Sequence, residues 1–147
     1  MTRFATQAPD HVMTVETKGI PLAFMTAKAL NLPLVIARQG SKVTEGSAVS
    51  INYVTGSAKR IQTMSLSRRA LPAGARVLII DDFMKAGGTA RGMIDLATEV
   101  GALVVGVGVL IATAQPEQKL VDEYTPLLVL HGIDELSRIV DIRPVPF

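Results

Sequence analysis

Between Val77 and Val100 the chain passes from the apolar run Val77-Leu78-Ile79-Ile80, through Asp81-Asp82-Phe83-Met84-Lys85-Ala86-Gly87-Gly88-Thr89, into a segment where Met93, Leu96, Ala97 and Val100 recur at i, i+3, i+4 and i+7. The run predicts a buried strand, and the spacing behind it predicts a helix with Asp95 and Glu99 outside and Gly101 at its end. Strands feeding helices in this way build open α/β sheets, whose ligands bind beyond the carboxyl ends of the strands. Two adjacent carboxylates at such an end repel, and burying either one uncompensated is costly. Ligand hydroxyls or a divalent cation would relieve them. Gly87 and Gly88 allow a backbone that side chains would block, and their amides with that of Thr89 leave a helix N-terminus, where the peptide dipoles favour an anion. Singly, Asp82 reads equally well as a surface carboxylate, Thr89 as a helix cap and the glycines as a tight turn. Joined in this order, acids for hydroxyls and amides for phosphate describe a receptor for a ribose 5-phosphate.

The rest of the chain supplies a sheet to carry that unit. "HVMTVET" from His11 predicts a strand, Pro21 opens the helix "PLAFMTAKAL", and Leu34 to Ala37 predicts a second strand, making a βαβ unit. Residues 38 to 48 read as a loop. Val49, Ile51 and Tyr53 alternate with polar residues, as do Met64 and Leu66, which predicts a projecting hairpin around "TGSAKR". A long strand from Leu103 to Ile111, a short helix from Pro116 to Tyr124 and two strands, Leu127 to Leu130 and Ile139 to Ile142, complete the pass. The fold class is therefore α/β: one open, mostly parallel sheet, Rossmann-like, with helices on both faces.

At 147 residues one domain is expected, with a core that is aliphatic because only 4% of residues are aromatic and none is Trp. A net charge of +2 is too small to imply a nucleic-acid partner by itself. Without cysteine there is neither a disulfide framework nor a thiolate metal site, which suits a reducing cytoplasm. The N-terminus has no signal-peptide core, and the longest apolar run, Leu103 to Ala112, is about half of the roughly 20 residues a membrane span needs. A soluble, cytoplasmic chain with no membrane partner is expected. His11 and His131 lack metal-ligand spacing and receive no role.

"VLIIDDFMKAGGT" resembles the phosphoribosyl pyrophosphate (PRPP) motif of type I phosphoribosyltransferases. With "MTVETKGIPLAF" and "SKVTEGSAVSINYVTGSAKRIQTMSL", the likeness is more specifically to the effector domain of the purine operon repressor family, from about residue 11 to residue 142. The resemblance implies that Asp81 and Asp82 hold the ribose hydroxyls of PRPP. It gives the 5-phosphate to Lys85, Ala86, Gly87, Gly88 and Thr89, and the diphosphate to Thr17, Lys18 and Gly19, in a loop that often carries a cis peptide. "RQGSKVTEGS" and the hairpin occupy the place of the family's mobile loop. Arg38, Lys42, Lys59 and Arg60 become possible phosphate or DNA contacts, or simply solvated charges. Magnesium is expected to accompany PRPP, with no direct protein ligand.

Ala86 and Lys85 stand where enzymes of the family often carry Thr and, in some members, an acid that contacts the base. Both differences fit a site that holds PRPP without consuming it, with PRPP as an inducer that releases DNA. The alternatives are an active purine phosphoribosyltransferase and a non-binding oligomerisation fragment. The repressor family places a winged-helix DNA-binding domain, and the start of the phosphoribosyltransferase-like domain, ahead of the matched region. About ten residues precede it here. Residues 1–147 are therefore expected to form a single phosphoribosyltransferase-like domain, incomplete at its N-terminus and lacking the winged helix. Operator binding would belong to the full-length protein, and apolar surface left by a missing layer would favour a homodimer.

Overall fold

The computed structural model describes residues 2–40, 47–55 and 59–146. Among these residues, eight strands form one sheet in the order β3-β4-β2-β1-β5-β6-β7-β8. They are β1 (His11–Val15), β2 (Leu34–Gln39), β3 (Ala48–Thr55), β4 (Arg60–Ser67), β5 (Arg76–Met84), β6 (Leu103–Thr113), β7 (Thr125–Asp134) and β8 (Ile139–Pro144). The central pairs β2-β1, β1-β5, β5-β6 and β6-β7 are parallel, while β3-β4, β4-β2 and β7-β8 are antiparallel. α1 (Ile20–Leu30) and α2 (Gly88–Glu99) cover opposite faces.

Side-chain alternation explains that division. Val12, Leu78 and Ile80 point to the α1 face and pack with Ala23 and Ala27, while Met13, Val77 and Ile79 point the other way, toward Met93, Leu96 and Ala97 of α2. Strands covered on both faces need continuous rather than alternating hydrophobicity, hence the unbroken run Val77 to Ile80. Pro21 sits in the first turn of α1, as anticipated, and Asn31 in left-handed geometry ends it.

The hairpin forms, but it does not stand free. Among the described residues the β2-β4 ladder is short, Arg38↔Ser65 and Gln39↔Met64, followed by the Gly40 amide donating to the Thr63 carbonyl at 2.7 Å. Val49, Tyr53, Met64 and Leu66 join the core on the α2 side, so the hairpin lies against that helix.

The helix expected over residues 116–124 is absent: the segment is a bent strap between β6 and β7. The Leu120 amide donates to the Ala86 carbonyl at 2.8 Å, and Lys119 Nζ donates to the carbonyls of Lys85 at 2.6 Å and Pro116 at 3.0 Å. These tertiary bonds, with Val121 buried in the core, outweigh the weak preference of so short a segment for a helix.

Candidate functional site

β5 carries the acid pair past the core. Asp81 continues the parity of Val77 and Ile79, toward the α2 side, and is only 5% exposed, whereas Asp82 is half-buried. The Asp82 amide donates to Asp81 Oδ1 at 2.9 Å. Burial pushes the Asp81 carboxyl up to about 7, with the Asp82 carboxylate adding to the rise and the Asp82 amide opposing it. The two carboxylates thus have different work open to them: one is exposed to ligand and water, the other is a buried acid that loses its proton readily only when donors face it.

Across from the pair, β1 ends in the 16–19 loop, whose Glu16–Thr17 peptide is cis. Glu16 fastens this loop to β2. Its carboxylate accepts the Gln39 amide at 2.8 Å and Arg38 Nη1 at 3.1 Å, which hold its carboxyl below the usual range, the Gln39 amide contributing most. Gly19 allows the loop to press onto the strand ends. A Cβ there would lie 2.5 Å from Thr14 Oγ1 and 3.2 Å from Asp81 Oδ1, leaving no room for a side chain.

On the other side, β5 runs through Lys85 and Ala86 to Gly87 at φ +88°, a left-handed turn that glycine makes without strain, and α2 starts at Gly88. Gly88 has a second reason to be glycine, since a Cβ would fall 1.9 Å from the Val54 carbonyl oxygen of the hairpin. Tyr53 seats beside Gly92 in the same way, one helical turn on.

These elements enclose two adjoining pockets that share Asp81, Phe83 and Thr89. One, of 310 Å³, is lined by Thr17, Lys18, Gly19 and Asp82; the other, of 290 Å³, by Lys85, Ala86, Gly87 and Gly88. All ten residues expected around a phosphorylated ribose therefore line one cleft at the carboxyl ends of β1 and β5. Arg38, Lys59 and Arg60 line neither pocket. Arg38 is paired with Glu16, and the register sets it opposite Ser65, five residues along β4 from Arg60, or about 16 Å at strand spacing. Lys59 precedes Arg60 at the far end of the hairpin, so these three cations do not make one compact patch. Lys42 lies outside the described residues.

Three contributors escaped the sequence reading. Glu16 stood inside the quoted "ETKG", but its anchoring role depends on Gln39 of a neighbouring strand. Thr14, fully buried, has no hydrogen-bond partner for Oγ1 among the described residues; a lone hydroxyl in "HVMTV" was its signal. Lys119 gave none.

A further pocket of 260 Å³ lies between α1 and β6-β7. Phe4, Leu22, Met25, Leu30 and Leu127 make it apolar, unsuited to a charged ligand. Among the described residues, no helix is long and apolar enough to cross a membrane.

Known proteins agree with this architecture. The family model described as phosphoribosyl transferase domain matches residues 2–139. The chain is 56% identical over 140 residues to the purine biosynthesis transcriptional repressor PurR of Bacillus subtilis, covering 95% of this chain and 49% of that protein. It thus spans about half the length of that relative. Identity to the xanthine phosphoribosyltransferase of Chloroflexus aurantiacus is 32% over 144 residues, covering 98% of this chain and 68% of the enzyme. A solved structure of adenine phosphoribosyl transferase from Trypanosoma brucei, in complex with AMP, pyrophosphate and ribose-5-phosphate, matches with a TM-score of 0.66 at 26% identity, over 72% of this chain and 45% of that one. A family match over nearly the whole length, together with the acid pair and glycine turn at the end of a central parallel strand, means that the chain belongs to the phosphoribosyl transferase domain family.

Proposed function

We propose that this domain is the PRPP-binding effector module of a transcriptional regulator of purine biosynthesis genes, with PRPP as the inducer that releases DNA. One observation carries the reading: the 17–19 loop and the 85–89 loop flank the Asp81-Asp82 pair from opposite sides. PRPP is a ribose with a phosphate at C5 and a diphosphate at C1, so it needs anion-binding loops at both ends and hydroxyl acceptors between them. Gly87, Gly88 and Thr89 would give amides to the 5-phosphate, with Lys85 and Ala86 completing that loop. Asp81 and Asp82 would accept the ribose hydroxyls, and Thr17, Lys18 and Gly19 would hold the diphosphate. Magnesium would enter with the diphosphate rather than on protein ligands.

The 56% identity to a protein named as a purine biosynthesis transcriptional repressor supports the regulatory half of the reading. Operator contact would lie in the remainder of a longer, cytoplasmic protein, where a winged helix would carry it. Exposed Ile133, Leu136, Ile139 and Val140 on the β7-β8 hairpin support a homodimer. The second reading, a purine phosphoribosyltransferase, draws on the identity to the xanthine enzyme.

Calorimetric titration of PRPP with magnesium, in the presence of mixed purine bases, separates the two. Heat that saturates with occupancy supports a sensor. Heat that persists until each injection of PRPP is consumed means turnover and overturns the sensor reading; no heat at all removes PRPP as the ligand.

A further inference from the structure

The phosphate loop is held from behind by a segment far from it in sequence. Lys119 Nζ donates to the Lys85 carbonyl at 2.6 Å and to the Pro116 carbonyl at 3.0 Å, and the adjacent Leu120 amide donates to the Ala86 carbonyl at 2.8 Å. The strap sits against Gly87, where a Cβ would be 3.4 Å from the Leu120 nitrogen and 3.6 Å from Val121 Cγ2. Val121 is 5% exposed and fixes the strap to the core. Neither Lys119 nor Leu120 lines either pocket of the cleft, so two consecutive carbonyls of the loop are bonded to groups outside it.

That orientation has an electrostatic consequence. A carbonyl oxygen aimed at a phosphate repels it, whereas an amide attracts it, so a phosphate loop works only if its carbonyls are turned away and kept there. The ammonium is the stronger of the two restraints, because a charged donor makes a stronger hydrogen bond than an amide. Burial lowers its pKa from the ordinary lysine value, and the two carbonyl acceptors offset that desolvation.

We propose that Lys119 is a positioning residue of the phosphate loop: it restrains the Lys85 carbonyl outside the cleft and so sets the 85–89 amides for a phosphate monoester, without touching the ligand. The proposal rests on the PRPP reading, and two separate probes keep the two apart. Ribose 5-phosphate reports on the 85–89 side of the cleft and inorganic pyrophosphate, with magnesium, on the 17–19 side.

Both are titrated calorimetrically into the wild-type chain, Lys119→Met and Lys119→Arg, with the ligand-free melting temperature measured for each. Lys119→Met is expected to weaken ribose 5-phosphate about tenfold or more, the loss of a charged hydrogen bond. Pyrophosphate should stay within about twofold, since its loop shares no partner with Lys119. Lys119→Arg keeps a cationic donor and should hold ribose 5-phosphate affinity within about threefold. Unchanged ribose 5-phosphate affinity in Lys119→Met overturns the positioning role, and so does an equal loss for both probes, which would mean general loosening of the domain. If the wild-type chain binds pyrophosphate but not ribose 5-phosphate, the phosphate-loop assignment itself is wrong. If it binds neither probe, the PRPP reading fails and this proposal with it.

Discussion

Replacing Asp81 by asparagine isolates the electrostatic cost of the cleft. Asp81 is 5% exposed and its carboxyl is pushed from 3.8 up to about 7, chiefly by burial. Between these values the folded chain holds a proton that the unfolded chain has released, so stability falls as pH rises through that window. The stabilising contribution is complete below 3.8 and lost once pH passes about 7. The gap of about 3 pH units, at about 1.36 kcal/mol per unit, sets the cost at up to about 4 kcal/mol. That is a large part of the roughly 5–15 kcal/mol that holds a domain folded. The carboxamide introduced by Asp81→Asn would stay neutral at every pH, and its oxygen can still accept the Asp82 amide that Asp81 Oδ1 accepts at 2.9 Å. Ligand-free urea unfolding at pH 4 and pH 8 measures the effect. The variant should match the wild type at pH 4 and exceed it by up to about 4 kcal/mol at pH 8, a midpoint shift of about 1 M or more. Glu16, Asp10 and the other lowered carboxyls cancel because both proteins carry them. A difference that is the same at both pH values, or a variant less stable at pH 8, would refute the reasoning.

The other expectations concern ligand binding and packing. Asp82→Asn should weaken PRPP by about 1.5–3 kcal/mol through loss of charged hydrogen bonds, read by calorimetry; unchanged affinity rules out the ribose assignment. Gly88→Ala, which in an ordinary helix gains about 1 kcal/mol, should instead destabilise by about 1–3 kcal/mol or more, because its Cβ would meet the Val54 carbonyl at 1.9 Å. A rise in the urea midpoint would show that the hairpin does not sit there. Met93→Ala, at a fully buried position, should cost about 2–5 kcal/mol in chemical unfolding. Thr14→Val should be neutral or stabilising by up to about 1 kcal/mol without ligand, since its hydroxyl has no partner among the described residues. A clear loss would mean that the hydroxyl does hold a bond in the ligand-free fold, and would overturn this expectation.

What could be read in advance was what lay close together along the chain. The strand, acid pair, glycine turn and helix fall within 24 residues, Val77 to Val100, and each feature is encoded by its immediate neighbours. The unequal burial of the two acids was not available there: Asp81 shares the parity of Val77 and Ile79, Asp82 that of Leu78 and Ile80, and both faces of the strand are covered. The helix expected at residues 116–124 failed because the groups that capture Lys119 and Leu120 belong to Lys85 and Ala86, 34 residues earlier, and no local pattern records them. Glu16 is similar, because its partners Arg38 and Gln39 come beside it only through the parallel register that sets Val15 opposite Ala37. Nor could the sequence show that Arg38 and Arg60, both candidates for phosphate or DNA contact, are held five residues apart by the β4 register. Gly88 shows how the two kinds of information combine. Its place in a strand-to-helix turn marked it for an anion loop, yet the structure adds the Val54 carbonyl, which demands glycine whether or not a ligand binds. Loss of affinity in Gly88→Ala could therefore come from a displaced hairpin as readily as from a blocked phosphate. Asp82, half-buried at the cleft wall, carries no such packing constraint; its carboxylate does help to push up the Asp81 carboxyl, so its substitution probes the acid pair as a unit without displacing the hairpin.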